Sequence, residues 1–384
     1  MKVIGRRPLG EVCTVVSGGT PKRSVRDYWE GGDIPWVKIS DLGQGELYRT
    51  EESITRKGLE NSAAKLLLPG TVLVSIFATI GATSVIAVPA CTNQAIAGVT
   101  PKASSKLTSR YIYYWLQSQR QFMEGVARGV AQNNINLSVL RAMEIPLYSR
   151  QEQGLIVDVL TGVDTLLSGC RKISKELDKL VKSRFIEMFG DYNLAPQKGE
   201  WTSISSVGIV VGGATPKTKV DAYWGGNAVW ITPAELKDGN VYVDDSARKL
   251  TPEGIKSASL TLMPRNTVIL SSRAPIGKVA IANCELYCNQ GFKNIICGDA
   301  LVPRYLYELL RFNSDFLNSL GKGATFKEIS KKTVEEIRIP IPSISRQREF
   351  ESFISQVDKL RFDVQQQIEK LEILKKSLMQ EYFG

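Results

Sequence analysis

Four groups of polar side chains recur in this chain, each of a kind that contacts nucleic acid. The first is the turn Thr20-Pro21-Lys22-Arg23, matched further along by Thr215-Pro216-Lys217-Thr218-Lys219. The second is Lys38 with Ser40, matched by Thr232, and the third is Ser75 with Thr79, matched by Ser271, Ser272 and Arg273. The fourth runs from Arg128 through Gln132, Asn133 and Asn134, matched by Lys322 to Lys327 with Thr325 between them. Lysine, arginine and small hydroxyls suit phosphate oxygens, whereas Arg, Lys, Asn and Gln carry the paired donors and acceptors that read base edges. Arg273 is the foremost candidate for a base contact, because the first copy has no arginine at that place. Residues shared by both copies cannot encode different sequences. Some of these positions have a structural reading as well. Thr-Pro turns and the Gly18-Gly19 pair shape backbone, Trp36 and Trp230 read as core, and Asn93-Gln94 and Asn289-Gln290 suit buried amides that satisfy backbone groups.

The residue types that usually carry catalysis are scarce. The chain has no histidine, which removes the commonest general base and every Ser-His-Asp or Cys-His arrangement. Its six cysteines, Cys13, Cys91, Cys170, Cys284, Cys288 and Cys297, form no C-x-x-C pair. They read as small core residues in a reducing, cytoplasmic setting, with no metal site. No catalytic residue is assigned. The formal net charge is +10, which suits phosphate neutralisation. No apolar run is long enough to span a membrane and the first ten residues lack a signal-peptide core, so neither membrane nor secretion is expected.

The matched groups belong to a larger repeat at a period of roughly 195 residues. Ser17–Leu42 matches Val211–Leu236, with Tyr28-Trp29 and Trp36 against Tyr223-Trp224 and Trp230. Leu66–Ile86 matches Leu260–Ile281, Ile145-Pro146 matches Ile339-Pro340, and Phe189-Gly190 matches Phe383-Gly384. Arg150-Gln151 is aligned with Arg346-Gln347.

Each repeat must position its polar groups with two kinds of element. The first part is rich in β-branched runs broken by Gly and Pro, with buried strands expected at 71–76 and 267–270 and short helices at 109–124 and 303–320. The second part is a long helix. Apolar residues fall at Ile156, Leu160, Val163, Leu167, Cys170, Ile173, Leu177, Leu180 and Met188, in steps of mostly three and four. Phe350, Phe353, Val357, Leu360, Val364, Ile368, Leu371, Leu374 and Leu378 repeat the pattern. Such a helix of about 36 residues is roughly 54 Å long, whereas a ten-residue linker reaches at most about 35 Å. The second helix must therefore run back along the first to bury its stripe. The expected fold is α+β: two mixed α/β heads joined by two long antiparallel helices in a coiled-coil spacer, pseudo-two-fold symmetric. The boundaries are 1–149, 150–190, 191–342 and 343–384.

The unit G-x-T-P-K, Y-W-x-G-G, a Trp-centred strand, P-x-x-x-V, I-P followed by R-Q, and a long helix, occurring twice, resembles the specificity subunits of type I restriction-modification systems. The resemblance covers essentially the whole chain. It implies that each head is a target-recognition domain reading one half of a split, asymmetric sequence in double-stranded DNA. It implies further that the helices dock two modification (adenine methyltransferase) subunits, that restriction/translocase subunits complete the complex, and that S-adenosylmethionine, ATP and magnesium belong to those partners. Leu166, Phe185, Phe362 and Ile373 lie off the inner stripe and are the candidate partner contacts.

Two other readings compete. A fused adenine methyltransferase would carry a Gly-rich cofactor loop and an Asn/Asp-Pro-Pro-aromatic motif; Asp33-Ile34-Pro35-Trp36 matches the latter poorly, and Arg273–Val279 lacks the glycine and Ser/Thr of a phosphate-binding loop. A coiled-coil scaffold without DNA specificity would pair its helices between chains rather than within one.

Overall fold

The computed structural model describes residues 1, 3–43, 45–128, 134–191, 193–194, 201–236, 239–323 and 327–384. The chain divides into two compact units, one of residues 1–172 with 364–384 and the other of residues 173–363. The division falls inside both long helices, not at their ends, because each half-helix packs against its own unit.

The two units share one strand order. In the first, a five-stranded sheet runs Cys13–Ser17, Ile96–Pro101, Val72–Ser75, Thr83–Ile86, Gly45–Leu47, and in the second Gly208–Gly212, Lys293–Cys297, Val268–Leu270, Val279–Ala282, Tyr242–Val243. A three-stranded sheet centres on Ile34–Val37 in one and on Trp224–Ile231 in the other. The centre strand Val72–Ser75 is buried on both faces, which is why it reads as a continuous apolar run without alternation. A third, two-stranded ladder pairs Gly5–Pro8 with Glu144–Leu147, and Thr202–Ser203 with Arg338–Ile339.

Each helical pair expected as one short helix is broken. Ser109–Ser118 and Arg120–Arg128 are separate helices, as are Pro303–Phe312 and Ser314–Ser319. The breaks at Gln119 and Asn313 let the amphipathic face turn, and the Asn313 amide folds back to donate to Leu309 O at 2.9 Å.

The long helices span Arg150–Phe189 and Ile344–Phe383. Within the first unit Lys375 meets Asp164 at 2.6 Å and Arg171 meets Glu372 at 2.8 Å. Within the second, Arg361 meets Asp178 at 2.6 Å and Arg184 meets Glu349 at 3.1 Å. In each unit the numbers of one helix rise as those of the other fall, so the half-helices are antiparallel.

The uniform heptad stripe is corrected. Ile173, Leu180, Leu360 and Leu374 are exposed, while Val181, Phe185 and Ile354 are buried. A straight α-helix drifts by about 20° per heptad, and each half-helix must cover the core of a unit as well as its partner helix. Phe185 is the clearest case. It stacks on Tyr305 with centroids 5.7 Å apart and contacts Phe189, Phe312 and Phe350.

A buried glutamine fixes the start of each long helix to its unit. Gln153 accepts from Thr108 N at 3.1 Å and donates to Tyr148 O at 3.0 Å. Gln347 accepts from Val302 N at 2.8 Å and donates to Ala300 O and Pro342 O at 3.0 and 2.8 Å. The counterpart of Arg346-Gln347 is thus Glu152-Gln153, and the alignment to Arg150-Gln151 is two residues out of register.

Candidate nucleic-acid interface

The turns that carry the first polar group are built alike. Gly18 and Gly213 lie where a β-carbon would come within 2.2 Å of Thr92 O and 2.1 Å of Cys288 O, so only glycine lets these backbones meet. Trp36 Nε1 donates to Gly19 O at 3.0 Å, and Trp230 Nε1 to Ala214 O at 3.1 Å. The Thr20 hydroxyl donates to the Gln94 side-chain carbonyl, and Thr215 to Gln290 at 2.5 Å. Asn93 and Asn289 turn the chain by accepting from Ala95 N and Gly291 N. The outer tryptophans hold the next residue: Trp29 Nε1 donates to Lys22 O, and Trp224 Nε1 to Lys217 O, both at 3.4 Å. Thr20 and Thr215 therefore shape the turn, and Lys22, Lys217 and Lys219 project from it into solvent.

Above the outer tryptophan the units differ. The Arg23 guanidinium lies 3.8 Å over the Trp29 ring and is paired with Glu52. In the second unit Thr218 takes the place of Arg23, and Arg248, at the position of Glu52, lies 3.5 Å over Trp224. The stacked cation is kept while its source moves from the turn to the strand Arg248–Leu250. Hydrogen bonds from Arg23 and Lys38 hold the Glu52 carboxyl below its ordinary range. Lys38 lies 2.8 Å from both Glu51 and Glu52, which raise its pKa above the usual lysine range. Arg23 and Lys38 are thus tied within the protein. Thr232 caps a turn, its N–H and hydroxyl both 2.7 Å from Glu235, while Ser40 is exposed in the matching turn, where Lys38 N donates to Asp41 at 2.8 Å.

The third group needs correction. Ser75 and Ser272 are fully buried and face no solvent. The Ser75 hydroxyl donates to Thr79 O and accepts from Ala82 N at 2.9 Å. Ser271 repeats this with Pro275 O at 2.7 Å and Lys278 N at 2.9 Å. Both serines organise a hairpin loop from within. The loop exposes Phe77, Ala78 and Thr79 in one unit and Arg273, Ala274 and Pro275 in the other. Ser272 sits inside, its carbonyl accepting from Ile329 N at 2.9 Å.

The fourth group lies beside that loop. Phe77 bridges Asn134 and Arg273 bridges Glu328, so each loop tip is pinned to the segment before the final strand. Arg128, Lys322 and Lys327 are exposed; Gln132, Asn133 and Thr325 lie outside the described residues. Arg273 Nε donates to Glu328 at 3.0 Å, and Lys293 Nζ reaches the other carboxylate oxygen at 3.1 Å. Burial pushes the Glu328 carboxyl up, but the bonds from Lys293 and Arg273 outweigh it and leave it below the ordinary range. Sequence reasoning missed Phe77, Arg248, Lys293 and Glu328. Phe77 was open to it, as a non-matching residue inside the matched segment Leu66–Ile86, whereas Arg248 lies between the matched segments and is matched to Glu52 only by strand pairing.

Of the partner-contact candidates, Leu166, Phe362 and Ile373 are exposed apolar residues at 58%, 62% and 70%. Phe185 is a core residue at 2% and is withdrawn. Burial pushes the Cys13 and Cys288 thiols up to about 12, consistent with inert core cysteines. Among the described residues no cluster of His, Cys, Asp or Glu could hold a metal ion, and no helix is long and apolar enough to cross a membrane.

Comparison with known proteins gives one consistent result. The family described as type I restriction modification DNA specificity domain matches twice, over residues 4–179 and 197–373. The MjaIX type I restriction enzyme specificity subunit of Methanocaldococcus jannaschii is 37% identical over 209 residues, covering 53% of this chain and 48% of that protein. The EcoR124I/EcoR124II specificity subunit of Escherichia coli is 30% identical over 166 residues, covering 42% of this chain and 41% of that one. The chain thus aligns with about half, or less, of the length of these two relatives. In fold it is similar to the S subunit of a type I restriction-modification system from M. genitalium, with a TM-score of 0.57 at 15% identity over 99% of this chain and 96% of that one. It is likewise similar to a chain from a study of type I complex assembly and conformational transition, with a TM-score of 0.59 at 18% identity over 100% and 98%.

Proposed function

This chain belongs to the type I restriction modification DNA specificity domain family, in two tandem copies, and from that premise we propose that it is the DNA-reading subunit of a type I restriction-modification system. Each unit reads one half of a bipartite, asymmetric target in double-stranded DNA. The chain has no catalytic site of its own. It acts by binding DNA and by holding two modification subunits and the restriction/translocase subunits, to which S-adenosylmethionine, ATP and magnesium belong.

The observation that carries this reading is the double family match laid over two units of one strand order whose loop tips differ in chemistry. A common scaffold with exchanged tips is what two readers of unlike sequences require, since phosphate contacts position a reader and base contacts specify its target. Lys22 and Lys217, held by the same indole–carbonyl bond in both units, fit the sequence-independent role. The exposed Leu166, Phe362 and Ile373 fit contact with the modification subunits, since covering an apolar side chain removes its surface from water.

The test is to express the chain with its cognate modification subunit and map methylated adenines genome-wide. A split motif of two short, unlike sequences with a fixed gap is the expected result. No methylation by an assembled, folded complex would favour the protein-binding scaffold instead.

A further inference from the structure

Three positions far apart in sequence have been exchanged together between the two units. Arg273, Lys293 and Glu328 form one ion-paired cluster in the second unit. The strand pairings give their counterparts in the first. Phe77 and Asn134 make the same bridge as Arg273 and Glu328, and Ala97 pairs with Ser17 as Lys293 pairs with Gly212. A charged triple thus replaces an uncharged one, on loops whose internal bonds, made by Ser75 and Ser271, are unchanged.

The geometry of the cluster is directional. Glu328 takes Nε of Arg273 with one oxygen and Lys293 with the other. Lys293 is nearly buried, its side chain 14% exposed, whereas the Arg273 side chain is 46% exposed. Neither terminal amino group of Arg273 donates a hydrogen bond to any described residue, so the end of the fork is available and its orientation is fixed. A forked pair of N–H donors held at this spacing matches the N7 and O6 acceptors of guanine in the major groove, and no other base edge presents two acceptors there. Exposed Lys322 and Lys327 flank the same loop and suit the adjacent phosphates.

We infer that Arg273 reads a guanine in the half-site of the second unit, with Glu328 as its positioning residue and Lys293 as the anchor of Glu328. This rests on the proposed function above. It adds which base is read and by which residues.

The test uses the assembled complex of this chain with its modification subunit. Adenine methylation is mapped genome-wide for the wild type and for Arg273→Ala, Glu328→Gln and Phe77→Ala, with thermal melting to verify folding. A wild-type map without a split motif defeats the DNA-reading function itself, independently of this inference. Given a split motif, Arg273→Ala is expected to make one G·C position degenerate, in one half-site only, with discrimination there falling by about 5- to 150-fold. Glu328→Gln is expected to relax that same position to a smaller extent, which a merely structural role would not do. Phe77→Ala is expected to alter the other half-site alone. An unchanged motif in Arg273→Ala, relaxation at an A·T position, or loss spread evenly over all sequences would overturn the inference. If Arg273→Ala does not fold, Arg273→Lys replaces it. Lysine keeps the charge but not the fork, so full retention of G·C discrimination would equally overturn the inference.

Discussion

The ring of Phe383 packs edge-on against Tyr111, centroids 5.5 Å apart, and both are buried in the core of the first unit. Tyr111 also donates to Pro146 O at 2.7 Å, and Tyr148 to Tyr382 O at 2.9 Å. The second unit repeats the arrangement with Phe189 and Tyr305, 4.9 Å apart, and with Tyr305 donating to Pro340 O at 3.0 Å. The last turn of the second long helix is therefore a structural part of the first unit. Phe383→Ala should cost about 3–5 kcal/mol of that unit's stability. Two-transition melting with limited proteolysis should show the first unit alone weakened; equal loss in both units would contradict the assignment.

The buried glutamines make a second test. Gln347→Glu keeps the acceptor for Val302 N but can no longer donate to Ala300 O and Pro342 O. It also places a carboxylate in a site with no solvent. A destabilisation of about 1–3 kcal/mol is expected for each buried group left unpaired, read as a lower denaturant midpoint. Gln153→Glu should behave in the same way in the first unit.

A buried charge network holds the second unit to its long helix. Arg304 is paired with Glu308 at 3.2 Å and Asp358 at 3.1 Å, and Glu308 also takes Arg311 at 2.7 Å. Removing one partner strands the others in a low-dielectric site, so Glu308→Ala should cost about 3–5 kcal/mol. In the first unit the equivalent of Glu308 is Tyr114, which lies 3.1 Å from Asp164. A triple substitution of Arg304, Glu308 and Arg311 to apolar residues of similar volume, which removes the buried charges together, should recover most of the loss in chemical denaturation.

Acid should act on the ion pairs of Glu52 and Glu328. The folded pKa of Glu328 and of Glu52 is depressed from an ordinary 4.5. The ion pairs are therefore fully stabilising above that value and are lost as pH falls through the folded pKa. Their contribution should stay flat from neutral pH down to the ordinary carboxylate range and be lost only below it, as the pH passes through the depressed folded pKa. Glu328→Gln should remove that part of the acid dependence, which equilibrium unfolding across pH would reveal.

Lysines shared by the two units should behave as phosphate contacts. Lys22→Ala and Lys217→Ala should each weaken binding evenly across DNA sequences and reduce the slope of log K against log salt by about 1. Titration of the complex at several salt concentrations checks this, and a sequence-dependent loss would instead make either lysine a base contact.

Much of this was legible in the residues themselves. The repeat gave two units of like architecture, because the same spacing of Thr-Pro turns, tryptophans and β-branched runs imposes the same turns and strands. The stripes gave two long helices and their antiparallel pairing. The antiparallel return brings Phe383-Gly384 beside the first unit, where Arg6 donates to Gly384 O.

What the sequence could not decide was which polar residues face out. Ser75 and Ser272 look as available as Thr79 and Arg273, yet the chain leading into each loop is buried on both faces, and only the folded structure shows where that burial stops and the exposed tip begins. Phe185 looked off-stripe because a helix wheel describes one partner, while this helix also covers the core of a unit. Lys38 and Arg23 looked free because their carboxylate partners come from another strand. Composition and spacing determined the fold, since those signals are local and repeated. Which side chains are left to meet DNA was decided by long-range pairing, which brings Arg273, Lys293 and Glu328 together from three separate strands and loops.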